Sequence, residues 1–119
     1  MNGKRPVIFG DGLQSRDFSY VENIVNANLL AAAAPHTNGE TLNIACGETR
    51  TLLDLVNGLN KILGTRIEPV FEPIRKGDVK HSLADISLAE RTINYKPTVG
   101  WDDGLKRTVE WYKNQHSDN

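Results

Sequence analysis

Two arginines in this chain sit beside glycine-bearing turns, and they are its best candidates for chemistry. One lies in Gly10-Asp11-Gly12-Leu13-Gln14-Ser15-Arg16-Asp17, the other in Arg75-Lys76-Gly77-Asp78. A planar guanidinium gives a phosphate two parallel charge-assisted hydrogen bonds, and a glycine turn lets backbone N–H groups approach the same anion. The competing reading pairs Arg16 with Asp17 and Arg75 with Asp78 on a solvated surface, and spacing alone leaves both readings open. Nothing else suggests bond making. No Ser-His-Asp or Cys-His arrangement stands out, and His36 and His116 lie in polar turn and tail sequence that suits solvated side chains. His81 follows the Arg75 loop and reads as structural or peripheral. Asp102 and Asp103 are explained as charges in the first turn of a helix. The residue types point to anion recognition.

The elements that must position these arginines can be read from periodicity and punctuation. Pro6-Val7-Ile8-Phe9 reads as a strand closed by Gly10-Asp11-Gly12, and Asp17 to Tyr20 as a short extended piece. Ser19 followed by Glu22 has capping-box spacing. Behind it Val21, Ile24, Val25, Asn28, Leu29 and Ala32 predict a helix with one apolar stripe, stopped by Pro35, with Asn28 at the rim. Thr41 to Ala45 reads as a buried strand. A second helix starts near Thr51, with Asp54 three residues on. It carries Leu52, Leu55, Val56, Leu59, Ile62 and Leu63 on one face and Gly64 as a left-handed cap. Ile67 to Glu72 predicts an edge strand, since Pro69 cannot donate to a ladder. Asp85 is the expected cap of a short helix bearing Ile86, Ala89 and Ile93. The last helix begins near Trp101, buries Trp101, Leu105, Val109 and Tyr112, and should fray from Asn114. The order is strand, strand, helix, strand, helix, strand, helix, helix, an α+β class in one domain over residues 1–119.

Composition narrows the partners. The net charge is −1 with acids and bases interspersed, so no basic stripe exists for a nucleic-acid backbone. No run approaches the ~18–20 apolar residues that span a bilayer, and the polar start Met1 to Arg5 has no apolar region of a signal peptide behind it. Cytoplasm is the expected compartment. The single cysteine, Cys46, cannot form an internal disulfide and reads as a small buried residue. A strand within a few residues of Met1 gives the impression of a chain that begins in mid-fold.

At Val7-Ile8-Phe9-Gly10-Asp11-Gly12 and Gln14-Ser15-Arg16-Asp17-Phe18-Ser19-Tyr20-Val21-Glu22-Asn23 the sequence resembles the extended short-chain dehydrogenase/reductases, and within them the NAD-dependent nucleotide-sugar epimerases and dehydratases. Leu42-Asn43-Ile44-Ala45, Arg75 to Asp85 and Gly104 to Tyr112 continue the likeness in order. It is nearest to UDP-glucose and UDP-N-acetylglucosamine 4-epimerases. The resemblance implies a small mixed α/β substrate-binding portion without the NAD-binding Rossmann module. In such enzymes the strand matching Val7 to Phe9 holds the uracil largely through backbone groups. The arginines matching Arg16 and Arg75 contact the pyrophosphate, and the acid matching Asp78 approaches the ribose. The parent reaction oxidises the sugar at C4, lets the keto intermediate rotate and reduces it on the other face, with dehydration or decarboxylation as relatives of that chemistry. Family members also carry a glycine-rich turn for NAD and a Tyr-x-x-x-Lys pair. Here Tyr20, Tyr95 and Tyr112 are followed four places on by Ile24, Val99 and His116, and no glycine-rich NAD turn occurs. The expectation is a chain that binds no cofactor and is inactive alone, its NAD belonging to the parent enzyme. Its UDP-sugar binding should be weak. Two arginine contacts offer roughly 3–6 kcal/mol, short of the ~8 kcal/mol of micromolar affinity. The alternative is a stand-alone binding or oligomerisation module. Faces that pack on the absent NAD-binding half would need another cover, and self-association is expected.

Overall fold

A computed structural model describes residues 4–117. In chain order it contains β1 (Val7–Phe9), β2 (Ser15–Arg16), α1 (Val21–Ala33), β3 (Arg50–Thr51), α2 (Leu52–Leu63), β4 (Val70–Glu72), α3 (Ser87–Ile93) and α4 (Trp101–Ser117). The order of strands and helices is the expected one, but two strands lie elsewhere. β1 pairs in parallel with β4, Val7 opposite Val70 and Phe9 opposite Glu72. Arg5 tightens the entry to this pair by donating Nε to Glu68 O and Nη2 to Pro69 O, both at 2.9 Å. β2 pairs antiparallel with β3, Ser15 opposite Thr51 and Arg16 opposite Arg50.

α2 forms where its caps direct it. Thr51 Oγ1 accepts from Asp54 N at 3.0 Å while Asp54 Oδ2 accepts from Thr51 N at 2.8 Å, a reciprocal capping box, and Gly64 closes the helix at φ 66°. The turn before β2 docks on this helix start. Gly12 at φ 77° has no room for a side chain, because a Cβ there would lie 2.8 Å from Leu53 Cγ. α4 packs on α2 with similar closeness, and a Cβ on Gly58 would meet Leu105 Cδ2 at 2.8 Å.

Several local expectations are corrected. α1 is capped by the backbone of Tyr20 with no side-chain bond, and Glu22 reaches Arg107 at 2.8 Å instead of closing a box on Ser19. Its buried side is Asn23 and Ala27, with Leu30 and Ala34 partly covered, whereas Val21, Val25 and Leu29 are 63%, 53% and 65% exposed. The helix is apolar on two sides, and α3 covers the side with the smaller residues: Ala27 clusters with Ala89, Ile93 and Tyr95. Thr41 to Ala45 joins no ladder among the described residues, and side chains bond only its end and the two residues after it. Tyr95 Oη donates to Ala45 O at 2.8 Å, and Cys46 N and Gly47 N each donate to the Asp17 carboxylate at 2.9 Å. Cys46 is half-buried, its Sγ 3.6 Å from Asn23 Nδ2. At the other end, α4 continues to Ser117 rather than fraying at Asn114, and Tyr112 is half exposed, so the stripe headed by Trp101 opens toward the carboxyl end. Asp85 acts close to its expected place. Its Oδ1 accepts from Ser87 N at 2.9 Å, one residue ahead of the Ile86 cap.

Candidate nucleotide-binding site

The free edge of β1 is the starting point. Val70 N donates to Pro6 O and Gly10 N to Glu72 O, both at 2.8 Å, so the even-numbered residues of β1 serve the ladder with β4. In a parallel pair the intervening residues turn their N–H and C=O groups the other way, so those of Val7 and Phe9 face away from β4. Phe9 O is taken by Gln14 Nε2 at 2.7 Å. What remains along the edge is donor, acceptor, donor: Val7 N–H, Val7 C=O, Phe9 N–H. The side chains of Val7 and Phe9 lie on the face opposite buried Ile8.

Beside this edge is a cavity of about 230 Å³. Phe9, Gly10, Asp11 and Gln14 wall one side, and Ile74, Asp78, Val79 and Lys80 the other. Phe9 and Asp78, expected in one site, are therefore brought to one cavity. Arg75 is not among the lining residues, but its guanidinium carbon is 3.5 Å from the centroid of the Phe9 ring, which is. Arg16 also lies outside the lining and touches it through Lys80, its Nη1 donating to Ser15 O at 2.8 Å and to Lys80 O at 3.4 Å. The paired-carboxylate reading fails for both arginines. Asp17 is occupied by the backbone of Cys46 and Gly47, and the contact of Asp78 with Arg75 is a backbone turn, Asp78 N to Arg75 O at 3.2 Å. Neither guanidinium joins an ion pair among the described residues.

A seam of hydrogen bonds keeps the two arginine segments in register. Ser15 N donates to Lys80 O at 2.9 Å and Ser82 N to Ser15 O at 3.1 Å, while Ser15 Oγ and His81 Nδ1 are 2.9 Å apart. His81, which reads from sequence as structural or peripheral, is part of this seam. Two residues of the site escape sequence reasoning. Gln14 fixes the Phe9 carbonyl, and its Oε1 is buried without a partner among the described residues. Lys80 adds a cation to the wall, 3.9 Å from Asp11. Gln14 carried no sequence signal beyond its place in a glycine turn. Lys80 lay two residues past a loop already singled out.

A larger concavity, about 660 Å³, opens between α2 and α4. Leu55, Leu59, Leu63, Val109 and Tyr112 line it, with Lys4 at the rim, and it holds no cluster of reactive groups. No group of three His, Cys, Asp or Glu is gathered as a metal would require, and no helix is long and apolar enough to cross a membrane, both among the described residues.

A sequence profile matches this scaffold over residues 1–108: the chain belongs to the GDP-mannose 4,6 dehydratase family. Among its relatives, a putative UDP-glucose 4-epimerase from Methanocaldococcus jannaschii is 34% identical over 98% of this chain and 37% of its own length. The crystal structure of a Thermotoga maritima UDP-glucose 4-epimerase with UDP-glucose superposes with a TM-score of 0.89 at 40% identity, over 95% of this chain and 36% of that one. A Bacillus cereus UDP-glucuronic acid 4-epimerase in complex with UDP-glucuronic acid and NAD gives 0.90 at 34% identity, over 95% and 36%. The chain spans little more than a third of the length of these relatives.

Proposed function

We propose that this chain is the nucleotide-sugar-binding part of an NAD-dependent UDP-sugar 4-epimerase and that it turns over no substrate by itself. The observation that carries this reading is the donor–acceptor–donor edge of β1 beside a cavity whose lining residues Phe9 and Lys80 touch Arg75 and Arg16, two guanidinium groups with no carboxylate partner among the described residues. Uracil presents acceptor, donor, acceptor along O4, N3–H and O2, the complement of Val7 N–H, Val7 C=O and Phe9 N–H. Arg16 and Arg75 would then take the diphosphate and Asp78 a ribose hydroxyl. NAD and the proton-transferring pair would come from the part of the relatives that this chain does not match, and in its absence the uncovered apolar faces would bring copies of the chain together. Dehydration is the second reading for the parent chemistry, favoured by the description of the family profile itself. The base distinguishes them in part. Guanine offers acceptor, donor, donor, which sets one donor against Phe9 N–H.

The test is a titration of the chain with UDP, UDP-glucose and GDP-mannose, followed by NMR. The expected result is millimolar binding of the uridine ligands, weaker binding of GDP-mannose, and a loss of about tenfold or more for Arg16→Ala or Arg75→Ala. A low-micromolar constant would overturn the expected weakness. UDP binding that ignores both substitutions would remove the assignment and leave the non-enzymatic module.

A further inference from the structure

Two Asn-Gly pairs fall among the described residues, and the fold treats them in opposite ways. Asn57-Gly58 lies inside α2, and Asn38-Gly39 lies in the stretch that follows α1. A third, Asn2-Gly3, is outside the described residues. An asparagine before a glycine carries its own reaction, because no Cβ on the glycine hinders the approach of its nitrogen. That nitrogen gives its proton to solvent base and bonds to the asparagine Cγ. The bond from Cγ to Nδ2 breaks, and Nδ2 takes up a proton and leaves as ammonia. Water then opens the cyclic imide at either carbonyl, giving aspartate or, with the chain rerouted through the side chain, isoaspartate. We infer that Asn38 is a site at which the folded chain modifies itself in this way, and that the fold protects Asn57 from it.

Exposure does not separate the two asparagines, since both are open to solvent. The backbone does. In α2 the Gly58 N–H is committed to the carbonyl four residues back, and Asn57 is held at the helical ψ of about −42°. Gly58 is also pressed on α4, a Cβ there lying 2.8 Å from Leu105 Cδ2, so this turn of helix opens only with loss of packing. Around Asn38 the constraints are gone. Gly39 N–H has no hydrogen-bond partner among the described residues, and Gly39 stands at φ 78° with open space where a Cβ would be. Asn38 N donates to Glu40 Oε2 at 2.7 Å, a bond that spans the glycine and leaves its nitrogen unengaged. The same bond holds the Glu40 carboxyl below its ordinary pKa, so the product sets a new carboxylate two residues from an ionised one. The formal net charge goes from −1 to −2, one neutral amide becoming one carboxylate. No residue of this stretch lines the cavity beside β1, so the inference stands or falls apart from the function proposed above.

The experiment ages the native chain at mildly alkaline pH, folded and in guanidinium chloride, and follows both sites by mass spectrometry of tryptic peptides. Trypsin separates them, into residues 17–50 and 51–61, and fragmentation shows which asparagine in each peptide has lost its amide. In the folded chain Asn38 is expected to convert at least about tenfold faster than Asn57, since each ~1.4 kcal/mol needed to open α2 slows Asn57 tenfold. In denaturant the two rates should converge, with Asn38 little changed and Asn57 catching up. The Asn38 product should resolve into aspartate and isoaspartate peptides of one mass. Equal rates in the folded chain overturn the inference, as does the absence of conversion at Asn38. An Asn38 rate that rises strongly in denaturant also overturns it, because the folded turn would then be protecting the site. A gap between the two sites that persists in denaturant does the same, because its cause would be the neighbouring sequence rather than the fold. Each reading comes from the native chain and needs no variant to fold.

Discussion

At the scale of single residues, Asn23 shows how a side chain can hold two distant loops. Its Oδ1 accepts from Thr98 N and Val99 N at 3.0 Å each, and its Nδ2 donates to Val99 O at 2.8 Å. Asn23 is fully buried, so Asn23→Ala leaves several polar groups of residues 98–99 unpaired out of water. A loss of about 2–4 kcal/mol in urea unfolding is expected, whereas Asn28→Ala should stay within about 0.5 kcal/mol, since exposed Asn28 bonds only the Ile24 carbonyl of its own helix. Tyr95 does similar work, with its ring buried and its hydroxyl on Ala45 O. Burial pushes its phenol above the usual value near 10, so the neutral form stabilises the fold fully below pH 10 and that contribution is lost as pH rises through the folded pKa. Alkaline melting of Tyr95→Phe should lose this dependence. Neither role was legible. The one-stripe reading of the helix passed over Asn23, and a buried phenol leaves no periodic mark. Arg16 and Arg75 were singled out by the turn glycines beside them and Asp78 by the family resemblance, and their ligand roles are what the UDP titration tests.

At the scale of elements, the difference between α2 and α1 shows what a sequence can carry. α2 was readable to the residue because Thr51, Asp54 and Gly64 do local work that neighbours cannot override. The backbone and hydroxyl of Thr51 both bond the Asp54 carboxylate and hold its pKa below the ordinary value. The stability this brings is therefore present above about pH 4 and lost as pH falls through the folded pKa. Thr51→Ala should cost about 1 kcal/mol at neutral pH and flatten the acid limb of the stability profile, read from denaturant melts between pH 2 and 7. α1 had no such anchor. Val21, Val25 and Leu29 on one side and Ala27, Leu30 and Ala34 on the other both satisfy helical spacing, and periodicity does not say which side a neighbour covers. Thr41 to Ala45 has the composition of a strand, but a strand is defined by a partner, and none pairs with it among the described residues.

At the scale of the whole molecule, the chain is too open for its size. A compact domain of 119 residues should have a radius of gyration near 13.5 Å, and this one has 17.0 Å in a slab of 49 × 39 × 21 Å. Its accessible surface is 8491 Å², against about 6,400 Å² expected for 13.2 kDa. The excess, about 2,100 Å² on one chain, is more than twice the ~800 Å² that each partner buries in a standard protein–protein contact. Much of it is apolar and continuous. Val21 shares a concavity with Trp111 and Tyr112, and Tyr112 also lines the groove between α2 and α4. The outer side of α1, which was read from sequence as core, has the hydrophobicity of a packed face and lacks only the neighbour. Water is a poor solvent for such a face, so copies of the chain should meet across it and sedimentation should show mass rising with concentration. Val25→Glu with Leu29→Glu removes this apolar stripe where the fold does not depend on it. The pair should shift the chain toward monomer while changing unfolding by no more than about 0.5 kcal/mol per site. A clean monomer at high concentration in the native sequence, or association untouched by the pair, would mean that the open surface is tolerated in water and that the slab is complete as it stands.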